Sequence, residues 1–302
     1  MHVLQVCLFG NVKVTHTGRP SLVKMSHSNQ ALLAYLLLQR HRSHPRELLA
    51  GIFWGNQSQK QARRCLNTAL WRLRQVLEPE GIPQGTYLLT PSPDEISFNC
   101  ESNYWLDVAI FEAQGSSILA KPMQTMTADD ADMLKRSLQL YTGELLEAFY
   151  DDWTLVERER LRRLYLSSQV HLMRYYKHHG NFEESLACAQ KILDQDPLRE
   201  EIHREMMDLY LASGQRALAV RQYQICHQVL DIELGISPME ETQILYRQIL
   251  QQIAKPLRVR PRSATDLNSK EQTLRQLRLS LNGFDNALKQ LRQAIITLSD
   301  EL

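Results

Sequence analysis

Between Gln57 and Leu77 the chain carries five basic residues (Lys60, Arg63, Arg64, Arg72 and Arg74) and no Asp or Glu. The same stretch repeats Leu66, Leu70, Leu73 and Leu77 at the spacing of one helix face. At about 100° per residue Leu70, Leu73 and Leu77 fall within about 40° of Leu66. Arg64, Thr68, Trp71, Arg72 and Gln75 then face the opposite way, and Arg63, Asn67 and Arg74 lie on one flank. Ordinary solvated helix faces mix Glu with Lys. This one offers cations, amides, a hydroxyl and one indole ring. Arg pairs in bidentate fashion with guanine, Asn or Gln with adenine, and Arg, Lys or Thr hold phosphates. The pattern therefore suits a helix lying in the major groove of double-stranded DNA. Lys60, Arg63, Arg64 and Arg74 suit phosphates, and Arg40, Arg42 and Arg46, slightly upstream, suit an adjacent phosphate. Two plainer readings stand beside this one. The helix could be a basic surface helix with no partner, and Trp71 could be half-buried against a neighbouring element.

The elements that must hold this helix can be read from the flanking sequence. Val3–Phe9 and Val12–Thr15 are β-branched runs separated by Gly10-Asn11, and Thr17-Gly18-Arg19-Pro20 is a turn signal. Leu32, Leu33, Leu36 and Leu37 predict a first helix, with Ser28 as its N-cap. A second, short helix is predicted from Pro45 to Gly55, carrying Leu48, Leu49, Ile52 and Phe53 inward. The basic helix is the third, from about Ser58 to Leu77. Tyr87–Thr90 and Ile96–Asn99, around a turn at Pro91–Asp94, predict a β-hairpin. After about Trp105 the pattern is helical to the end.

Charge divides the chain the same way. The net charge of +1 is the sum of +6 over residues 1–99, −9 over 100–254 and +4 over 255–302. A total that argues against nucleic acid therefore hides a basic head and an acidic body. Within the body, Tyr176-x-x-x-Gly180 and Tyr210-x-x-x-Gly214 are spaced at the 34-residue period of a tetratricopeptide helix pair, which sets Leu186 against Val220 and Ala189 against Tyr223. Residues 255–266 read as an exposed linker rich in Pro and Arg. Beyond it a heptad places Leu267, Leu274, Leu281, Leu288, Ile295 and Leu302 at a, and Leu277, Phe284, Leu291 and Leu298 at d, broken only by Lys270. That predicts a coiled coil, with Leu274, Leu277, Leu281, Phe284, Leu288, Leu291, Ile295 and Leu298 as dimerisation residues. Packing of this helix back onto the body is the alternative, and Leu at both a and d leaves dimer against trimer open.

An order of strands, three helices and a hairpin is that of a winged helix-turn-helix. Residues 3–254 resemble the SARP family (Streptomyces antibiotic regulatory proteins), which joins an OmpR/PhoB-type DNA-binding domain to a bacterial transcriptional activator domain (BTAD). The resemblance rests on Leu8-Phe9-Gly10-Asn11-Val12-Lys13-Val14, Gln30–Leu36, Arg46-Glu47-Leu48-Leu49 with Phe53-Trp54-Gly55, and Ala62–Arg74. In the body it rests on Leu140–Leu146, Trp153, Glu157-Arg158-Glu159-Arg160-Leu161 and Asp196-Pro197-Leu198-Arg199-Glu200. It implies a mainly α chain: an α+β winged helix over 1–100, a tetratricopeptide-like all-α domain over 105–254, a linker over 255–266 and a coiled-coil helix over 267–302. It also implies a cytoplasmic transcription activator that binds promoter repeats, often as a homodimer, and recruits RNA polymerase holoenzyme. The third helix would read the major groove, the hairpin wing the minor groove, and the loop before the third helix would face polymerase. Arg64, Asn67, Thr68, Trp71, Arg72 and Arg74 would carry groove and backbone contacts. The wing departs from the family, because residues 78–100 contain no Lys or Arg. Minor-groove contact normally uses a cation, so little beyond backbone amides and Tyr87 is expected there.

No catalytic set, metal site or cofactor is expected. The five cysteines are scattered without a C-x-x-C pair, as suits a reducing compartment. His178-His179 reads as a helix C-terminus, and Asp129, Asp130 and Asp132 as a helix N-terminus. No phosphate-binding G-x-x-x-x-G-K-[ST] loop, signal peptide or membrane-length apolar run is present. A tetratricopeptide-like interaction scaffold whose winged helix does not bind DNA is the alternative function.

Overall fold

The computed structural model describes residues 3–17 and 25–254. The predicted linker and heptad lie outside the described residues. The chain divides into two compact units, Met1–Leu245 and Tyr246–Leu302. Of the second, the described residues are 246–254, the last part of a helix.

The first unit begins with an antiparallel pair, β1 (Leu4–Cys7) and β2 (Lys13–His16), in which Val6 faces Val14. Gly10 adopts φ +73° in the tight reversal between them, a conformation that favours glycine. Helix α1 (His27–Leu38) follows, and its N-cap is Ser26 rather than Ser28. The helix is apolar on every side, with Leu32, Leu33, Leu36 and Leu37 all fully buried. Such a helix belongs in the centre of a core, and α1 packs against α2 (Arg46–Trp54) and α3 (Gln59–Leu77). The wing consists of β4 (Leu88–Leu89) and β5 (Glu95–Phe98). A short strand β3 (His44–Pro45), just before α2, adds to it antiparallel, giving the order β3-β5-β4.

The head differs from expectation at two places. Leu48 and Ile52 do not point inward: they are 47% and 36% exposed, and α2 buries Leu49 and Ala50 instead. A helix of nine residues has room for one narrow buried stripe, and Leu49 with the half-buried Phe53 supplies it. Tyr87 cannot reach a ligand of the wing, because it is 1% exposed. Its ring is core, and its hydroxyl donates to the Asn103 carbonyl at 3.4 Å.

The region beyond residue 100 opens with a strand rather than a helix. β6 (Tyr104–Leu106) pairs parallel to β1, with Val6 opposite Leu106. Helix α4 (Asp107–Leu119) starts at once. The buried Asp107 carboxylate accepts from Leu8 N at 2.9 Å, Phe9 N at 3.0 Å and Val108 N at 2.7 Å. The Leu8 and Phe9 donors, just past the end of β1, have no strand partner, so the carboxylate supplies what a ladder would. Burial pushes the Asp107 carboxyl up, and the backbone donors pull the other way. A second tie lies at Leu145–Glu147: Phe9 bridges Leu145, Leu146 N donates to Leu8 O at 3.0 Å, and Glu147 N donates to Gly10 O at 3.2 Å. Leu146 sits at φ +50°, a left-handed conformation unusual for leucine. Arg158 fixes it by donating to the carbonyls of Leu145, Leu146 and Phe149 at 2.7–2.9 Å.

The rest of the unit is helical. α5 (Ala128–Gln139) begins with a capping box between Thr127 and Asp130, as the aspartate cluster suggests. α6 (Asp152–His178), α7 (Phe182–Gln195), α8 (Glu200–Ala212) and α9 (Arg216–Leu234) form two successive antiparallel pairs. Their turns repeat: Asn181 N donates to Tyr176 O at 2.9 Å, and Gln215 N donates to Tyr210 O at 2.7 Å. Gly180 and Gly214 take φ +73° and +76°. This is a hydrogen-bonded C-cap used twice, 34 residues apart. The buried positions also recur at that spacing, with Ser185, Cys188 and Ile192 matching Ala219, Gln222 and Cys226. Just before α10 (Glu240–Ala254), Met239 N donates to the Glu200 carboxylate at 2.7 Å. Among the described residues no helix is long and apolar enough to cross a membrane.

Candidate nucleic-acid interface

The basic helix α3 is aimed by the turn before it and the hairpin after it. α2 ends at Gly55, where a Cβ would lie 2.6 Å from the Gly51 carbonyl oxygen. Only glycine permits that close approach, and Gln57 N then donates to Trp54 O at 3.0 Å to close the turn. Ser58, in extended backbone, starts α3. Ala62, Leu66, Ala69, Leu70, Leu73 and Leu77 are buried, which fixes the rotation of the helix. At its far end Glu78 accepts from Gly85 N, Tyr87 N and Leu88 N at 2.8–3.0 Å. One carboxylate thus ties the end of α3 to the start of the wing.

With that rotation, Lys60, Arg63, Arg64, Asn67, Thr68, Trp71, Arg72 and Gln75 are all exposed. Trp71 is 61% exposed, so it is not half-buried against a neighbour. Arg64, Thr68 and Arg72 line one side of an open groove of about 560 Å³, and Ser28 and Asn29 of α1 line the other. Gln61 also lines it. Its position three residues before Arg64 puts it on the same helical stripe, so the spacing that singles out Arg64 could have found it.

The flank is more internally engaged than the outer face. Arg46 donates to Asn67 Oδ1 at 3.0 Å, which leaves the Asn67 amide hydrogens facing outward for an acceptor. Arg63 makes an ion pair with Glu47 of α2. The Arg63 guanidinium holds the Glu47 carboxyl below the usual range. Thr68 donates its hydroxyl to Arg64 O at 3.0 Å, so only its oxygen lone pairs remain to be used. Arg74 is half-buried and donates to Thr90 of the wing at 2.9 Å, which makes it a brace between α3 and the hairpin. Arg40 folds back on its own helix, donating to Leu37 O at 3.2 Å. Arg42 is exposed in the turn before β3, and Arg46 opens α2 half-buried, its backbone N–H bonded to Asp94 O at 2.8 Å. The structure therefore brings Lys60, Arg64, Trp71, Arg72 and Gln75 to one open helix surface. It sets Arg74 and Arg40 to other tasks.

The bacterial transcriptional activator domain matches residues 106–250. Over 252 residues, 82% of its length, the chain is 26% identical to the regulatory protein AfsR of Streptomyces coelicolor. The match spans 24% of that protein, so the chain corresponds to about a quarter of its relative. It is 22% identical over 233 residues to the transcriptional regulatory protein MoaR1 of Mycobacterium tuberculosis, covering 74% of this chain and 72% of that one. Among solved structures, Mycobacterium tuberculosis EmbR in complex with a low affinity phosphopeptide superposes with a TM-score of 0.68 at 20% identity. The superposition covers 91% of this chain and 72% of EmbR, and it shows a shared fold. The chain thus joins a winged-helix head, through β6, to a bacterial transcriptional activator domain over residues 106–250, a layout similar to that of SARP-type regulators.

Proposed function

We propose that the protein is a cytoplasmic, sequence-specific DNA-binding transcription activator that lays α3 in the major groove of promoter repeats and recruits RNA polymerase holoenzyme. The observation that carries this is the outer face of α3. Arg64, Trp71, Arg72 and Gln75 are exposed together, and among the described residues neither Arg64 nor Arg72 has a carboxylate partner. Their charges are thus available to guanine edges or phosphates. Lys60, Arg63 and Arg42 would add phosphate contacts, and Arg46 would hold Asn67 in place for a base. Arg74 would act by bracing the wing, which has no cation of its own. The turn at 55–58, exposed beside α3, is the surface offered to polymerase. Residues 105–254 form the regulatory body, and the heptad over 267–302 pairs two chains. Pairing joins two short-site readers and raises avidity through effective concentration.

A mobility-shift titration of the full chain with genomic fragments, repeated over a salt series, tests the reading. Binding that is specific and weakens steeply with salt is expected. Affinity without salt dependence, or no DNA binding at all, favours the interaction scaffold instead.

A further inference from the structure

A cleft of about 280 Å³ opens among α5, α6 and α7, far along the chain from the basic helix. This volume is near the lower end of ligand pockets, roughly 300 Å³, and suits a molecule with one ring. One wall is a pair of stacked phenols, Tyr141 and Tyr165, with ring centres 4.4 Å apart. Leu138, Leu172 and Cys188 add apolar surface. Two polar groups lining this cleft are buried without a hydrogen-bond partner, the Tyr141 hydroxyl and the Gln169 side-chain oxygen. Gln169 is 1% exposed, and its amide nitrogen is already used, donating to the Tyr165 hydroxyl at 3.1 Å. Buried polar atoms are almost always satisfied, and leaving one unmet costs about 1–3 kcal/mol. Two such atoms at one cleft point to a missing partner.

The mouth supplies charge. Lys135 and Lys191 stand on either side of it, both exposed. Lys135 pairs with Glu184 at 3.5 Å, whereas Lys191 has no carboxylate partner among the described residues. Burial pushes the Tyr141 hydroxyl up to about 12 and the Cys188 thiol up to about 11. Both therefore stay protonated near neutrality. Tyr141 is a donor, and Cys188 is an apolar wall rather than a nucleophile.

We infer that this cleft binds a small hydroxylated aromatic carboxylate, with its carboxylate at Lys191, its ring against the Tyr141–Tyr165 pair, and its hydroxyl between Tyr141 and Gln169. The ligand hydroxyl donates to the Gln169 oxygen and accepts from the Tyr141 hydroxyl, so both unmet atoms are used. The far side of the Tyr141 ring touches Phe9 of the head, with ring centres 4.8 Å apart. An occupant therefore also stiffens the contact between head and body.

Titration of the full chain with 4-hydroxyphenylacetate, followed by calorimetry and by the unfolding midpoint, tests this. Saturable binding and a rise in the midpoint are expected. Phenylacetate, which lacks the hydroxyl, should bind about tenfold more weakly. Gln169→Leu should weaken the hydroxylated acid about tenfold and leave phenylacetate unchanged. Lys191→Gln, a surface change that does not threaten folding, should weaken the acid about threefold and leave its methyl ester unchanged. No saturable binding by the wild-type chain overturns the proposal, as does equal affinity for acid and ester or indifference to Lys191→Gln.

Discussion

The head holds 11 Lys and Arg and the body 15, and the two use them in opposite ways. In the body Lys121 meets Asp130, Arg160 meets Glu112 and Glu157, Lys177 meets Glu205 and Asp208, and Arg199 meets Glu201. In the head, eight basic residues lie between Arg40 and Arg74. Of these only Arg63 has a carboxylate, Glu47, among the described residues. Paired surface charges add little to stability and nothing to recognition. Unpaired cations on a rigid helix repel one another in the free protein and are relieved when an anion arrives. What distinguishes a binding face is therefore how many cations lack an internal partner, rather than how many there are.

The largest expected effect tests that difference directly. Replacing Arg64 and Arg72 together by Ala should lower DNA affinity by about 1–3 kcal/mol for each base pairing removed. Fluorescence anisotropy over a salt series would also show a shallower slope. Unchanged affinity and slope would remove α3 from the interface. Next comes a residue shared by both regions. Asp107→Ala should destabilise the protein by roughly 3 kcal/mol in urea unfolding, because it strands the buried Leu8 and Phe9 N–H groups. A loss of only a few tenths would mean water replaces the carboxylate.

Glu47→Gln moves the head further from the body's habit by releasing Arg63, its one paired cation among the described residues. It should tighten DNA binding about threefold and steepen the salt dependence. Weaker binding would show that Glu47 positions Arg63 instead of masking it. The smallest effect belongs to the body. Lys121, together with Thr127, holds the Asp130 carboxyl down at about 2, below its ordinary 3.8. The stability it gives is complete above the ordinary value and is lost as pH falls toward 2. The urea midpoint of Asp130→Asn should therefore fall less steeply with acid than that of the wild type. Parallel curves would show that the pair contributes nothing.

The sequence made legible whatever follows a local period. The leucine stripe of α3 set its rotation, and the glycine-tyrosine spacing located both helix turns of the body. The hairpin turn at Pro91–Asp94 was equally local. Features set by distant residues were not legible. Nothing near Glu47 says that Arg63 will reach it, and nothing near Leu48 and Ile52 says that the buried stripe of α2 runs through Leu49 and Ala50 instead. A hairpin has one open face that the sequence offers to Tyr87, and the fold turns this ring inward. β6 is not legible because three residues are too short to show an alternation, and its partner β1 lies at the other end of the head. The exposure of Trp71 is set by the packing of its neighbours, which no local period encodes.

The carboxylate at the end of β1 has a consequence for how the molecule is made. Leu8 and Asp107 stand 99 residues apart in the chain yet share a hydrogen bond. During synthesis β2 can join β1 almost at once, but β6 and Asp107 emerge only after the whole head, and Leu146 later still. Contacts of such long sequence separation form late because the loop between them must first be closed. The sheet that supports the head is thus finished only when the start of the activator domain has left the ribosome. A nascent or truncated chain that stops short of it carries an unpaired strand edge. The two halves mature as one event, so a head made without its body is left unfinished.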